Sequence, residues 1–157
     1  MIKLKFMFVG KTKESWIVEG IRHYEKMLSK FAELEFITVK DEKVTERSSD
    51  KIILEKEGER ILKSINKNNF SFVLDSKGKL LSTEELAEFF KEKMNQGHND
   101  FVFVTGSALG LSSEVINSAN FRLSLSKMTF PHQLVRLILL EQVYRAFSII
   151  RGRKYHK

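Results

Sequence analysis

Short, uninterrupted apolar runs at residues 70–74 and 100–105 constrain the fold of this chain more than any other feature. Such runs are typical of strands inside a parallel sheet, because both faces of those strands are buried. The hydrophobic pattern predicts three further strands, at residues 2–9, 34–39 and 121–125. It predicts helices at residues 16–29, 52–65, 82–94, 113–118 and 131–150. This alternation indicates an α/β fold with a mainly parallel sheet and helices on both faces, and 157 residues fit one domain spanning residues 1–157.

Three loops are expected at the carboxyl edge of the sheet, after Leu74, Thr105 and Leu125, where parallel sheets bind ligands. The loop at residues 106–110 begins and ends with glycine, which allows a ligand to approach the backbone. Taken alone, such a loop is more often a tight turn from strand to helix than a binding site. The loop at residues 124–130 is either a solvated loop or a backbone-lined pocket for a flat, partly apolar ligand. The three loops together are the candidate pocket.

The excess positive charge of the chain is concentrated at its last residues. The formal net charge is +7, and the final seven residues contain no acidic side chain. The basic patch there contains an aromatic side chain, which is typical of a polyanion contact and favours RNA as the partner. The predicted RNA-binding residues are Arg151, Arg153, Lys154, Tyr155 and Lys157.

The final helix is apolar around almost its whole circumference, so one sheet face cannot cover it. A second copy of the chain is the expected cover, which predicts a homodimer with residues such as Leu139 in the interface. Glu141 and Arg145 are spaced to pair on this helix, either as an ordinary ion pair or in a functional role.

Several classes of protein are not expected. The chain has no cysteine, so disulfides and thiolate metal sites are excluded, and no cluster has the spacing of metal ligands. No serine lies in a nucleophile elbow. Arg136, Glu141 and Arg145 interrupt the most apolar stretch, so we expect no membrane span. The composition and the absence of a signal-like start favour a cytoplasmic protein.

Four segments together resemble a known family. They are residues 106–111 (GSALGL), 125–133 (LSKMTFPHQ), 141–146 (EQVYRA) and the tail with Arg151-Gly152 and Tyr155-His156. They are similar to the ribosomal RNA large subunit methyltransferase H family, which are SPOUT-class enzymes. The likeness extends over the whole chain and is most specific from residue 101 to residue 156.

The resemblance implies a C-terminal trefoil knot, a homodimer and S-adenosylmethionine as the cofactor. The reaction it implies is methylation of ring nitrogen 3 of a pseudouridine in the large-subunit (23S) ribosomal RNA of assembled ribosomes. The implied cofactor-binding residues are Leu74, Gly106, Leu125, Ser126, Lys127, Met128, Thr129 and Phe130. The family usually has two adjacent glycines where this chain has Gly106-Ser107. A serine would be strained there if the position required a positive φ.

The implied reaction needs a positive potential and a proton acceptor, because the pseudouridine imide must lose its proton. The tail is the candidate catalytic segment: Arg153 supplies potential, Tyr155 stacks on the base and His156 accepts the proton. The alternative for the last role is no dedicated base. The alternative for the whole protein is a ribosome-binding factor without catalysis, which accounts for the charge but not for the two strand-end loops.

Overall fold

Strands and helices alternate along the chain as the hydrophobic pattern predicts. The computed structural model describes residues 1–154. The strands are β1 (Lys3–Val9), β2 (Glu33–Val39), β3 (Phe70–Leu80), β4 (Asp100–Thr105) and β5 (Phe121–Ser124). The helices are α1 (Ser15–Leu28), α2 (Asp50–Lys63), α3 (Thr83–Asn95), α4 (Ser113–Ser118) and α5 (His132–Ile150). The predicted α/β class is confirmed.

The strands form one parallel sheet with the order β2-β1-β4-β3-β5 among the described residues. Successive side chains of a strand point to opposite faces, so each strand contributes to two cores. Leu4, Phe6 and Phe8 of β1 face α1, α3 and α5 in the larger core. Met7 and Val9 face α2 and α4 in the smaller core. The sheet is therefore covered by helices on both faces, as predicted.

Strand β3 is longer than the apolar run at residues 70–74 that predicts it. Beyond that run the strand continues through residues 75–78 to Leu80. Leu74 and Lys79 both pair with Leu123, so the intervening residues bulge out of the ladder. A Cβ on Gly78 would lie 2.8 Å from the carbonyl carbon and oxygen of Arg122, so this bulge requires a glycine. Pairing with β5 extends the strand through polar sequence, which periodicity alone does not reveal.

Local capping accounts for where several helices begin. The side chain of Ser82 accepts a hydrogen bond from the Glu85 backbone N–H at 3.0 Å, and the Glu85 carboxylate accepts one from the Ser82 N–H at 2.9 Å. This is the capping box that the sequence predicts before α3. Pro131 is the N-cap residue of α5, where its missing N–H costs nothing.

Helix α5 runs antiparallel to the strands from one edge of the sheet to the other. Near its start, Arg136 contacts the carboxyl end of β1 at Val9 and Gly10. Beyond its end, the guanidinium of Arg153 lies 5.2 Å from the ring centre of Phe31, which precedes β2. A helix of 19 residues rises about 28 Å. The two ends of α5 therefore lie at opposite edges of the protomer.

The partly exposed apolar residues of α5 differ from those expected. Leu139 is fully buried within the protomer and is unavailable for an interface, because it packs between the sheet and neighbouring helices. Leu134 and Ile138 remain partly exposed. Within residues 1–154, no helix is both long and apolar enough to cross a membrane. The trefoil knot stays a prediction.

Candidate functional site

The two predicted loops after Thr105 and Leu125 converge with the bulged part of β3 that follows Leu74, so the prediction of a loop after Leu74 is wrong. Two adjoining cavities of about 140 and 350 Å³ lie there and share five lining residues. The shared residues are Leu74, Asp75, Ser76, Phe130 and Val135. We call the two cavities together the strand-end pocket.

Seven of the eight predicted cofactor-binding residues line the strand-end pocket. They are Leu74, Gly106, Leu125, Ser126, Met128, Thr129 and Phe130. Lys127 is exposed and does not line it. Met128 is 76% exposed, so only part of its side chain can contact a ligand. The structure thus brings the predicted residues together with one exception, while their role stays a prediction.

The glycine loop, residues 106–110, folds tightly against itself. A Cβ on Gly106 would lie 2.2 Å from the carbonyl oxygen of Gly110, so only glycine fits there. Gly110 has a φ of +89°, which also favours glycine. Among the described residues every positive φ belongs to a glycine, so Ser107 is free of the strain considered from the sequence. Its hydroxyl donates a hydrogen bond to Oε1 of Glu57 at 2.9 Å.

The strand-end pocket combines apolar walls with an unsatisfied polar group. Thr105 is 2% exposed, and its hydroxyl oxygen has no hydrogen-bond partner within residues 1–154. Buried hydroxyl groups rarely lack a partner in folded proteins, so this atom is an unusual feature of the wall of the pocket. The hydroxyl of Ser124 donates to the carbonyl of Ser126 at 3.0 Å, and the Met128 N–H donates to the Ser126 hydroxyl at 2.9 Å. These bonds order the loop that forms the outer wall.

A buried arginine fixes the start of α5 against β1. Arg136 is fully buried and donates hydrogen bonds to the carbonyls of Val9 and Gly10 at 2.7 and 3.0 Å, and to the Thr12 hydroxyl at 2.8 Å. Burial lowers the pKa of Arg136 to about 10, with the charge of Asp41 acting in the opposite direction. Sequence reasoning used Arg136 only as an argument against a membrane span. The available signal was a cation surrounded in sequence by apolar helix residues.

A second and larger cleft of about 730 Å³ lies at the carboxyl edge of β1 and β2. It shares Ser107, Ala108, Leu109 and His132 with the strand-end pocket, so the glycine loop separates the two spaces. Its lining also includes the buried carboxylate of Glu57, which the sequence did not single out as a site residue. We call this space the β1–β2 cleft.

Among the predicted tail residues, Arg151, Arg153 and Lys154 line neither space within one protomer. Arg151 is the C-cap of α5, and Arg153 packs on Phe31 at the amino edge of the sheet. Lys154 follows and is exposed. Tyr155, His156 and Lys157 lie outside the described residues. Glu141 and Arg145 form the ion pair that their spacing allows.

Within residues 1–154, no cluster of three or more His, Cys, Asp or Glu side chains could hold a metal ion. The chemistry available at the described site therefore comes from backbone groups, hydroxyls and neutral or charged side chains.

Comparison with known proteins places this geometry in a family. A family model described as predicted SPOUT methyltransferase matches residues 2–156. The chain is 50% identical over 159 residues to "Ribosomal RNA large subunit methyltransferase H" of Carboxydothermus hydrogenoformans, covering 99% of this chain and 100% of that protein.

Two solved structures share the fold at low sequence identity. One is a probable methylase family protein from Haemophilus influenzae, with a TM-score of 0.58, 14% identity, and coverage of 98% of this chain and 70% of that one. The other is a probable methyltransferase from Bordetella pertussis, with a TM-score of 0.60, 11% identity, and coverage of 93% and 95%. The chain belongs to the SPOUT methyltransferase family.

Proposed function

We propose that this protein methylates ring nitrogen 3 of a pseudouridine in the large-subunit (23S) ribosomal RNA of assembled ribosomes, with S-adenosylmethionine as the methyl donor. Family membership supports methyl transfer, and the 50% identical relative carries a ribosomal RNA methyltransferase name over its full length. The single observation that supports the proposal best is the convergence of the three strand-end segments on one pocket.

The residues of the strand-end pocket fit S-adenosylmethionine in their chemistry. Leu74, Leu125 and Phe130 offer apolar surface to an adenine ring or a methionine chain. Gly106 allows the turn at residues 106–110 to close tightly, because a Cβ there would lie 2.2 Å from the Gly110 carbonyl oxygen. When bound, the cofactor supplies an electrophilic methyl group on a sulfonium.

Methyl transfer to a pseudouridine imide requires that the nitrogen lose its proton and that the developing negative charge be stabilised. Arg151, Arg153 and Lys154, together with the tail beyond them, are the proposed sources of RNA affinity and positive potential. In this proposal Tyr155 stacks on the splayed base. His156 takes the proton, or water or an RNA group does so in its place.

The length of α5 makes this tail depend on a second protomer. The helix rises about 28 Å from the strand-end pocket toward the opposite edge of the sheet. Three more residues span at most about 10 Å even when extended, so a tail at the amino edge does not reach its own pocket. In a homodimer, the tail of one protomer can instead serve the pocket of the other protomer. The partly exposed Leu134 and Ile138 give α5 an apolar surface for that contact.

The experiment that tests the proposal has two parts. Calorimetry measures binding of S-adenosylmethionine to the free protein. Mass spectrometry of large-subunit RNA then compares ribosomes from a deletion strain before and after incubation with protein and cofactor. Binding followed by methylation of a pseudouridine supports the proposal. Ribosome binding without cofactor binding favours the non-catalytic ribosome-binding factor.

A further inference from the structure

The β1–β2 cleft is lined by none of the eight predicted cofactor-binding residues. Its volume of about 730 Å³ falls within the range of about 300–1,000 Å³ common for ligand pockets. Two side chains of α2, Glu57 and Arg60, form hydrogen bonds to the segments that line the cleft. Glu57 accepts hydrogen bonds from the Ser107 hydroxyl at 2.9 Å and the Glu42 N–H at 3.0 Å. Arg60 donates to the Lys40 carbonyl at 2.9 Å and pairs with the Glu42 carboxylate.

The position of the cleft matches a requirement of the chemistry. In methyl transfer the donor and the acceptor atoms must approach within about 3–3.5 Å, so the two sites must adjoin. The β1–β2 cleft and the strand-end pocket share the lining residues Ser107, Ala108, Leu109 and His132.

Three exposed lysines of the cleft can contact phosphates, although the carboxylates of Asp41, Glu42 and Glu57 line it as well. The Glu42 carboxylate pairs with Arg60, and the Glu57 carboxylate accepts two hydrogen bonds, so both already have partners. Lys11, Lys13 and Lys40 line it, and none of them forms an ion pair with an acidic side chain within residues 1–154. Lysine ammonium groups are common partners of backbone phosphates in RNA complexes. The side-chain amide of Gln133 fixes the loop that bears two of these lysines. It accepts from the Lys13 N–H at 2.9 Å and donates to the Lys11 carbonyl at 3.2 Å.

His132 gives the boundary between the two spaces a neutral hydrogen-bonding group. Burial is the main reason that the pKa of His132 is lowered, and the positive charges of Arg136 and Lys13 add to the effect. A neutral imidazole presents one donor and one acceptor, as the edge of a uracil-type base does. It can therefore orient a base that reaches the methyl donor.

We propose that the β1–β2 cleft receives the target nucleotide, with Lys11 and Lys13 on its phosphates and His132 as a positioning residue beside the cofactor pocket. The inference rests on the proposed function, because it names the acceptor site of the same reaction. The nucleotide enters the cleft unstacked from its neighbours, as single-stranded RNA bases do in other proteins.

The first test fills the cleft without changing the strand-end pocket. Thr38 is an exposed residue at the end of β2 that lines only the β1–β2 cleft. We expect Thr38→Trp to lower kcat/KM for ribosomes roughly tenfold or more, because the ring occupies space needed by the nucleotide. Its Kd for S-adenosylmethionine should equal that of the wild type. The matched control is Glu33→Trp, at the exposed amino end of the same strand, which should leave both quantities unchanged.

The second test removes charge from the cleft. We expect Lys11→Ala combined with Lys13→Ala to flatten the log–log salt dependence of ribosome binding by about 1.4–1.8 units, for two lost phosphate contacts. The control combines Lys67→Ala with Lys91→Ala, two exposed lysines outside the cleft. The backbone bonds to Gln133 do not involve the lysine side chains, so the loop should keep its position.

The outcomes separate this proposal from the proposed function. A wild type that binds no S-adenosylmethionine or methylates no ribosomes contradicts the proposed function itself. Two results would overturn only the proposal about the cleft, provided that the wild type methylates ribosomes. One is a Thr38→Trp variant as active as the wild type, and the other is a double lysine variant with the same salt dependence as its control. Light scattering that shows Thr38→Trp to be monomeric beside a dimeric wild type would identify the cleft as a contact between copies, and would also overturn the proposal.

Discussion

Replacing Gly106 with alanine perturbs the strand-end pocket by a single methyl group. That Cβ would lie 2.2 Å from the Gly110 carbonyl oxygen, whereas real Cβ atoms essentially never approach other atoms within 3.0 Å. Gly110 must therefore retreat by at least the difference of 0.8 Å. The obstacle is backbone rather than the end of a flexible side chain, so the whole turn has to move.

The expected cost falls on ligand binding rather than on folding. A shift of this size misaligns one or two backbone hydrogen bonds to a ligand, which together contribute about 1–3 kcal/mol. That free energy corresponds to a roughly 5- to 150-fold higher Kd for S-adenosylmethionine in calorimetry. The hydrophobic cores do not include Gly106, so the free energy of unfolding in urea should fall by no more than about 1–2 kcal/mol.

The neighbouring residue provides the control. Ser107→Ala removes the hydrogen bond to Glu57, worth about 1 kcal/mol, but adds no atom to the turn. It should bind the cofactor nearly as well as the wild type does. If Gly106→Ala binds S-adenosylmethionine with wild-type affinity, the glycine loop is not part of the cofactor site and the reasoning is refuted.

Four further changes test other parts of the structure. Ile138→Lys should yield soluble monomers by light scattering, and a dimeric variant would exclude that face of α5 as the interface. Leu139→Lys should instead unfold the protein, because that position is fully buried. Arg136→Met leaves two backbone carbonyls without a donor and should lower the free energy of unfolding in urea by about 2–5 kcal/mol, and an unchanged midpoint would contradict its anchoring role. Ser82→Ala removes the α3 cap and should cost about 1 kcal/mol in the same assay, so an unchanged value would show that the cap is dispensable. Deleting residues 153–157 should flatten the salt dependence of ribosome binding by roughly two units and nearly abolish methylation while S-adenosylmethionine still binds; methylation at the wild-type rate would move the active site away from the tail.

The sequence predicts local structure here because burial and periodicity agree. The bounds of β4 (Asp100–Thr105) and α4 (Ser113–Ser118) match the expectation from pattern, and the capping box at Ser82 marks the start of α3. The end of β3 could not be predicted from periodicity, because residues 75–79 are polar or small and the strand pairs with β5 again only after a bulge. Strand pairing is a tertiary contact and leaves little trace in the local pattern.

Part of the candidate site could likewise be predicted from the sequence, and part depends on tertiary contacts. The segments after Leu74, Gly106 and Leu125 could be placed together from the sequence, because carboxyl ends of parallel strands share an edge. The position of Lys127 on the surface depends on the path of a loop, which no periodicity fixes. The role of Arg136 depends on partners more than 120 residues away in sequence, and no local rule pairs them.

The most direct test of the account is mass spectrometry of nuclease-digested large-subunit RNA from ribosomes that lack the modification. These ribosomes are incubated with the purified wild-type protein and S-adenosylmethionine. The account predicts one new methyl group on the base of a pseudouridine, absent from the Gly106→Ala reaction under the same conditions. A methyl group on a ribose or on another base, or no methyl group in a reaction where the protein binds both ribosome and cofactor, would contradict it.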